Sequence, residues 1–552
     1  MRETDAHVTP FRSVLGVVGR RPAASRGRWV PHALAVMACA VSLRCGTSPD
    51  AQRRPSDAGA GDGARGRTEA GGRDGGPKDA APPIATTLST PFPLVPPFSP
   101  SIHDYYVRCP AMDNSLVVTM TAAPGSTIAL SQPVTTEPSV ENIVQISVKA
   151  NAAIVANVTG EAGSDQYWVR CLPPDFPPLE MTAHSDSGTP TPGYYLVGNV
   201  VSSEGEGGYA IALDRNGVPV WYHTTRTGAG AADVDNLIPG VISFAPDLPY
   251  TFTGDAGQFE LHDLPAGTAK YFETVGVPLD LHEFRYLPNG DYLVLSDPIV
   301  TGVDLTGLDQ FGADTDMLDC VIQELDPTGA LVWQWTASEH FDPVQDCTFS
   351  DPEQTVDNVT VADPFHCNSI DLAPNGDLLV SARNMDSIFL VDRATSAVLW
   401  KMGGSTYSKD SAQYVSLQDD PMVSFYRQHD ARFQPDGTIS LFDDQSGMAG
   451  PARALVLSYD VPAGTASVVW QYKGEVTSDV MGSFRILADG SRVIGWGLRS
   501  APGPSFSEVD DGGNDLLDFA FLSADVTYRA IKIPATAFDL GLLRRRAGAD
   551  GG

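Results

Sequence analysis

Short runs of alternating apolar and polar residues fill the chain from about residue 90 onward, and Gly- and Pro-rich turns separate them. The clearest hairpin is 366–383, in which two apolar strands flank Pro374-Asn375-Gly376. A turn centred on Pro374 and Asn375 brings His366 opposite Arg383. This is a poor structural pair, because the arginine charge opposes protonation of the imidazole ring. The pair makes sense around an anion, whereas the simpler interpretation is a solvated loop end.

Two more stretches share this design. His282 precedes Pro288-Asn289-Gly290, and His429 precedes Pro435-Asp436-Gly437. In all three stretches the turn proline lies an even number of positions, six or eight, after the histidine. Because residues two apart in a strand share a face, the pattern predicts that the three histidines point the same way.

The stretches belong to a longer repeat. A strand, a turn, a second and third strand, and a fourth strand ending in tryptophan recur about six times from residue 190, most clearly in 211–221, 322–333, 389–400 and 456–470 and more weakly in 241–275 and 483–533. Such a unit cannot bury its own faces, so the copies must pack around a shared axis. The pattern predicts an all-β protein with a six-bladed β-propeller over 185–540.

In a propeller, the first strand of each blade lines the central channel. His282, His366 and His429 each precede a blade's first hairpin, so we expect them to converge with Arg383 at one mouth of the channel. The alternative is that the histidines only make hydrogen bonds that repeat at the blade starts.

The segments before the propeller differ in composition. Residues 1–46 combine a basic region with the short apolar run 33–43, which predicts an export signal, and Cys39 or Cys45 is a candidate lipid-attachment site. Residues 47–89 read as a disordered linker, 90–180 as a small β-sandwich domain, and 541–552 as a disordered tail. We therefore expect a protein of the cell envelope, periplasmic or at the surface, with membrane attachment through a lipid.

Charge and cysteine content narrow the picture further. The net charge of −32 argues against nucleic acid as a partner, because that partner requires a basic surface. Cys109 and Cys171 each end a similar strand, which suggests a disulfide bond between them. For Cys347, either Cys320 or Cys367 is the expected partner.

The predicted cluster of three histidines favours either a metal site or group transfer. Zinc takes three histidines, but a neighbouring arginine would repel it. An arginine fork instead suits the oxygens of sulfate or phosphate, and a neutral imidazole can attack sulfur or phosphorus. The chain contains no Walker A motif, so we expect no nucleotide donor. We also expect neither a metal nor another cofactor.

Three motifs resemble those of the bacterial arylsulfotransferases that work without the nucleotide sulfate donor. They lie in the order expected for that family: 281–284, 363–371 followed by 379–383, and 427–433 followed by 441–444 and Arg453. Separately, residues 98–107 resemble the opening of cadherin-like modules of bacterial surface proteins.

The family resemblance implies transfer of a sulfuryl group from an aryl sulfate ester to a phenol. By motif match, His429 is the nucleophile that becomes sulfated, and His366, His282 and Arg383 are further catalytic residues around the sulfuryl group. Asn368 and Arg453 are implied as substrate-binding residues. The chain departs from the family pattern at Cys367, where an aliphatic residue is usual, and at Asp444, where asparagine is common.

Two other functions are compatible with the repeats. One is a β-propeller at the cell surface that only binds a partner. The other is a metal-dependent propeller hydrolase or lyase in which the histidines are ligands.

Overall fold

The computed structural model describes residues 85–161, 163–200, 205–248, 257–350, 352–357 and 359–548. The chain is all-β, with two short α-helices in the described part. The predicted export signal and most of the predicted linker lie outside the described residues. None of the helices in the described ranges has the length and apolarity needed to cross a lipid bilayer.

The first described region consists of two sheets with one shared apolar core. Its strands are β1 (Ala85–Ser89), β2 (Asp104–Arg108), β3 (Asp113–Ala122), β4 (Thr127–Gln132), β5 (Glu141–Lys149), β6 (Ala153–Gly160) and β7 (Gly163–Leu172). The sheets have the orders β1-β3-β5 and β2-β7-β6-β4. β1 lies in the stretch predicted as linker. The predicted disulfide bond between Cys109 and Cys171 is confirmed, whereas the cadherin-like sandwich stays a prediction.

The next strands run to the middle of the chain. They are β8 (Leu179–Ala183), β9 (Gly193–Gly198), β10 (Tyr209–Leu213), β11 (Pro219–Thr224), β12 (Ala231–Asp235), β13 (Val241–Pro246), β14 (Phe259–Asp263), β15 (Thr268–Phe272), β16 (Leu279–Tyr286), β17 (Tyr292–Ser296), β18 (Ile299–Val303), β19 (Thr315–Leu318), β20 (Val321–Leu325) and β21 (Leu331–Thr336).

Helix α1 (Ala337–His340) leads into the second half. There follow β22 (Glu353–Val356), β23 (Val359–Ala362), β24 (Cys367–Leu372), β25 (Leu378–Ala382), β26 (Ser387–Val391), β27 (Val398–Gly403), β28 (Gln413–Gln418), β29 (His429–Phe433), β30 (Ile439–Asp443), β31 (Arg453–Asp460), β32 (Thr465–Lys473), β33 (Ser483–Ile486), β34 (Arg492–Gly495), β35 (Phe506–Val509), β36 (Asp515–Phe521), β37 (Ala530–Pro534) and α2 (Leu540–Arg546). Short 3₁₀ turns cover Arg383–Met385 and Ala535–Ala537.

Four-stranded antiparallel arrays repeat along this part of the chain. Their orders are β11-β10-β9-β37, β12-β13-β14-β15, β16-β17-β20-β21, β24-β25-β26-β27, β29-β30-β31-β32 and β33-β34-β35-β36. β28 joins the outer edges of two arrays, and β8 adds to the edge of the last. The inner strands contact one another in the circuit β12, β16, β24, β29, β33, β37 and back to β12. His282, His366 and His429 therefore lie in or directly before three consecutive inner strands.

A further small sheet interrupts the repeat. β18, β19, β23 and β22 pair in that order, with β19 parallel to β23. Two acidic residues of the candidate site flank its strands: Asp297 precedes β18, and Asp363 follows β23. This accessory sheet therefore adjoins the site.

The β24–β25 hairpin has the predicted turn but a different register. The carbonyl of Ala373 accepts from the amide of Gly376, so Pro374 and Asn375 are the central turn residues. Gly376, at φ +92°, then adds a bulge that shifts the pairing by one residue. A second irregularity between Cys367 and Ser369 reverses the shift. The amide of Arg383 consequently donates to the carbonyl of His366 at 2.9 Å, as the predicted pairing requires.

Two other expectations were wrong. Cys320 bonds to Cys367, and Cys347 is free, because the inner strand β24 packs beside the start of β20. Residues 541–546 belong to α2 rather than to a disordered tail. Leu543 of this helix is buried, and Arg544 forms a bidentate ion pair with Asp104.

We predict that replacing both Cys320 and Cys367 by serine lowers the free energy of unfolding by about 2–4 kcal/mol, because the disulfide restricts the unfolded chain. Urea unfolding of the oxidised protein measures this. Cys347→Ser is the matched control and should change stability by about 1 kcal/mol or less. Equal stability of the double variant and the wild type would contradict the prediction.

Candidate functional site

The structure brings the four predicted catalytic residues together. His282 lies in β16, His366 directly precedes β24, His429 begins β29, and Arg383 follows β25. The rings of His282 and His366 meet edge to face with centroids 4.9 Å apart. His429 interacts electrostatically with Arg383 and with both other histidines. The convergence expected from the repeat is therefore observed.

Unusual backbone conformations orient this cluster. His366, Arg427 and Asp430 have positive φ angles of 50°, 58° and 57°. Non-glycine residues adopt this region at a cost, and such residues concentrate at functional sites. Two of the three adjoin the register shift at the start of β29. The distortion, rather than regular strand alternation, sets the direction of the His429 ring.

Each histidine uses its Nδ1 atom to contact a buried carboxylate. The distances are 2.6 Å from His282 to Asp280, 2.5 Å from His366 to Asp363 and 2.8 Å from His429 to Asp444. A carboxylate at Nδ1 holds the proton there and leaves the lone pair on Nε2. No described residue forms a hydrogen bond with any of the three Nε2 atoms. The three imidazoles of the site therefore favour the same tautomer, with a carboxylate at Nδ1 and the lone pair on Nε2.

His429 is the most constrained of the three. Its side chain is 1% exposed, and its Nδ1 also lies 3.0 Å from the carbonyl of Arg427. A carbonyl oxygen can only accept, so this contact favours the tautomer with the proton on Nδ1. Burial lowers the pKa of His429 well below its usual range, and the charge of Arg383 acts in the same direction. The ring is therefore neutral at neutral pH, with the Nε2 lone pair available.

Asp444 and His429 together hold one proton. Burial raises the pKa of Asp444 well above its usual range, while Arg383 opposes this rise. Because the Arg427 carbonyl favours Nδ1–H, Arg383 and the imidazole proton both stabilise the carboxylate form of Asp444. The aspartate at this position, where the resemblance suggested asparagine, thus acts on the imidazole.

Two buried guanidinium groups flank the histidines. Arg383 donates to the side chain of Asn384 at 2.8 Å and to the carbonyl of Asp479 at 2.9 Å. Arg427 pairs with Asp386 at 2.5 Å. Both guanidinium groups lie over the ring of Phe349, and the Nε of each is buried without a partner. An unpaired buried donor is costly, so these atoms are suited to bind an anion.

The two predicted substrate-binding residues are fully buried. The amide of Asn368 donates to the carbonyl of Gln428, and its Oδ1 has no partner. Arg453 forms a bidentate pair with Asp420 and also binds Asp443, Gln471 and Ser424. These contacts occupy all of the Arg453 donors. Direct substrate contacts by Asn368 and Arg453 stay predictions.

Sequence reasoning missed several groups of the site. Asp280 and Asp363 lie two and three residues before their histidines, so local spacing could have identified them. Tyr528 is far away in sequence, yet its hydroxyl donates to the carbonyls of His282 and Asn368. No signal in the sequence links it to the site.

The structure also bears on the metal-centre alternative. In the described ranges, a single group of three potential ligands is close enough to hold an ion, and it consists of Asp280, His282 and Asp297. It includes neither His366 nor His429. A metal centre with all three histidines as ligands is therefore not formed among the described residues.

We predict that the ring of His429 stays neutral, with its proton on Nδ1, well below the pH at which an ordinary histidine becomes protonated, because burial and Arg383 disfavour the imidazolium form. Nitrogen NMR of protein labelled at histidine measures the tautomer and charge, and the His429→Gln variant assigns the signal. An imidazolium signal for His429 that appears between pH 7 and 6 would refute the prediction.

Comparison with known proteins adds an independent observation. Residues 265–514 match the family described as Arylsulfotransferase (ASST). No curated protein matches the chain.

Several solved structures are similar in part. A protein of unknown function from Bacteroides caccae is 13% identical, with 62% of this chain and 99% of that chain covered and a TM-score of 0.37. A catalytically inactive virginiamycin B lyase from Staphylococcus aureus, crystallised with quinupristin, is 9% identical, with coverages of 62% and 87% and a TM-score of 0.31.

The matched segment contains all three histidine motifs on which the resemblance rests. This match supports the arylsulfotransferase family for residues 265–514.

Proposed function

We propose that the protein transfers a sulfuryl group from an aryl sulfate ester to a phenol through a sulfohistidine formed on His429. The family match supports aryl sulfotransferase activity in general. The observation that carries the finer proposal is the buried, neutral His429, whose Nδ1 is engaged by Asp444 and by a backbone carbonyl. Only its Nε2 remains for chemistry, and it lies beside an arginine and two further histidines.

In the first half-reaction, the Nε2 lone pair of His429 attacks sulfur as the bond from sulfur to the aryl oxygen breaks. The phenolate leaves with the bonding electron pair. Arg383 stabilises the charge on the sulfuryl oxygens, and His282 and His366 lie around them and donate to them when their Nε2 atoms carry a proton. Asp444 stabilises the positive charge that the sulfated imidazole acquires, as the aspartate of a catalytic triad does.

In the second half-reaction, the oxygen of the acceptor phenol attacks the same sulfur. The bond between nitrogen and sulfur breaks and returns the lone pair to His429. The phenol proton needs a base, and the Nε2 of His366 is suitable because Asp363 holds the Nδ1 proton. A covalent intermediate divides a difficult transfer into two easier steps.

The proposal extends to fold and location. The closed circuit of six inner strands, and the pairing of β9 with the C-terminal strand β37, support a six-bladed propeller. The two sheets around the Cys109–Cys171 disulfide support a small sandwich domain. Two disulfide bonds are consistent with an exported protein. We further propose that a lipid on Cys39 or Cys45 attaches the protein to the membrane surface.

We predict that a short pulse of p-nitrophenyl sulfate at mildly alkaline pH adds one SO₃ group to the peptide that holds His429. His429→Asn should remove this adduct and lower transfer by at least roughly a thousandfold, because it removes the nucleophile. Peptide mass spectrometry and p-nitrophenol release measure the two effects.

His340→Asn is the matched control for this variant. His340 also contacts an aspartate through Nδ1, at 2.7 Å from Asp410, but takes no part in the cluster. The control should retain both adduct and turnover. Near wild-type turnover in His429→Asn would eliminate His429 as the nucleophile.

We predict that Arg383→Leu lowers kcat/KM for the donor by roughly ten- to a hundredfold, because it removes a charged hydrogen bond worth about 1.5–3 kcal/mol. Steady-state kinetics with varied aryl sulfate measure this, and circular dichroism checks that the variant folds. Arg383→Lys keeps the charge and should lose less. An unchanged kcat/KM in the leucine variant would exclude a role for Arg383 in donor binding.

A further inference from the structure

Three potential metal ligands form a buried group on one side of the histidine cluster. Asp280, His282 and Asp297 are 2%, 8% and 5% exposed. One ligand atom of each lies within 4.8 Å of those of the other two. The proposed sulfuryl transfer uses His282 but gives no role to Asp297.

The β16–β17 hairpin accounts for this arrangement. Asp280 and His282 are two residues apart in β16, and Asp297 directly follows the last residue of β17. Leu279 pairs with Ser296 across this antiparallel hairpin, so Asp280 and Asp297 are diagonal neighbours across the pair. A short hairpin thus supplies three ligands without contributions from distant parts of the chain.

In the described part of the chain, the negative charge of Asp280 has no lysine or arginine beside it. Among the described residues, no lysine or arginine forms an ion pair with Asp280, whose Oδ1 contacts only His282. The Oδ2 of Asp280 is buried and has no hydrogen-bond partner. Another carboxylate, Asp247, also interacts electrostatically with His282. Buried carboxylates that lack a cationic partner are strongly unfavourable, and they are typically paired or bound to a metal.

We propose that Asp280, His282 and Asp297 bind a divalent cation. The imidazole nitrogen beside Asp280 is Nδ1, so the cation replaces the Nδ1 proton of His282 and the ring proton moves to Nε2. One imidazole nitrogen and two carboxylate oxygens suit Zn²⁺ or Mn²⁺ better than Mg²⁺, which takes mainly oxygen ligands and keeps several waters. The unpaired Oδ2 of Asp280 supplies a ligand atom that no protein group uses. Because three protein ligands do not complete the coordination shell, water fills the remaining positions.

The position of this cation has a consequence for the site. His282 contacts His366 edge to face, so a cation on His282 adds positive charge to the wall of the sulfuryl site. This positive charge offsets the negative charge of the acidic residues in the hairpin and beside the accessory sheet, so an anionic substrate can bind next to them. The binding of the cation itself does not depend on the identity of that substrate.

The test uses the full chain, stripped with a chelator and titrated with Mn²⁺ or Zn²⁺. We expect about one Mn²⁺ per chain, measured by electron paramagnetic resonance, with displacement by Zn²⁺ and a rise in the thermal midpoint. Asp280→Asn and Asp297→Asn should each weaken binding by at least about tenfold. Asp410→Asn, which alters the His340–Asp410 pair away from this group, is the matched control and should bind like the wild type.

Two results would overturn the proposal. One is a wild-type protein that binds neither Mn²⁺ nor Zn²⁺, and the other is equal binding by the wild type and both Asn variants. If one variant does not fold, the wild-type stoichiometry and the remaining variant still decide. The sulfohistidine adduct on His429 is measured separately, so loss of the cation site and loss of the proposed transfer are distinguishable.

Discussion

A buried network of ion pairs at the centre of the molecule holds the site together. Arg432 contacts Glu283 at 2.6 Å and Asp430 at 2.8 Å, and Arg529 contacts Glu283 at 2.9 Å and Asp233 at 2.5 Å. These residues come from β12, β16, β29 and the segment that enters β37, so the network links inner strands that are distant in sequence. Although burial raises the pKa of Asp430, Arg485 and the other arginines hold it well below its usual range. Removing one member would leave a buried charge without a partner, a change that typically costs about 3–5 kcal/mol.

This network is joined directly to the chemistry. Glu283 and Asp430 immediately follow His282 and His429 in the sequence, so the ion pairs that fix the carboxylates also fix the backbone of the histidines. Arg529 and Tyr528 both donate to the carbonyl of Asn368, which ties β24 to the same centre. The three imidazoles then receive their proton arrangement from Asp280, Asp363 and Asp444. Rigid inner strands and local carboxylates together produce lone pairs that point into one site.

The chain is acidic overall, but positively charged groups close to the site allow it to bind the proposed anionic substrate. The overall charge of −32 repels anions at long range, but the immediate surroundings of the site contain Arg383 and Arg427 with unpaired donors. Buried donors act over short distances in a medium of low dielectric, where salt screens little. The site can therefore bind a sulfuryl group on a protein whose surface is acidic. The proposed cation on His282 adds positive charge to the same surroundings.

The sequence alone determined the repeat, the order of the three histidine motifs and the pairing of Cys109 with Cys171, because strand alternation and turn residues are local signals. It also gave the opposition of His366 and Arg383, although two compensating irregularities in the hairpin produce it. Only the tertiary structure decided that Cys320 joins Cys367 and that Tyr528 reaches the site. It alone decided that Arg453 donates to Asp420 and Asp443. Those outcomes depend on which strands become neighbours across the circuit, and contacts between distant residues leave no trace in local periodicity.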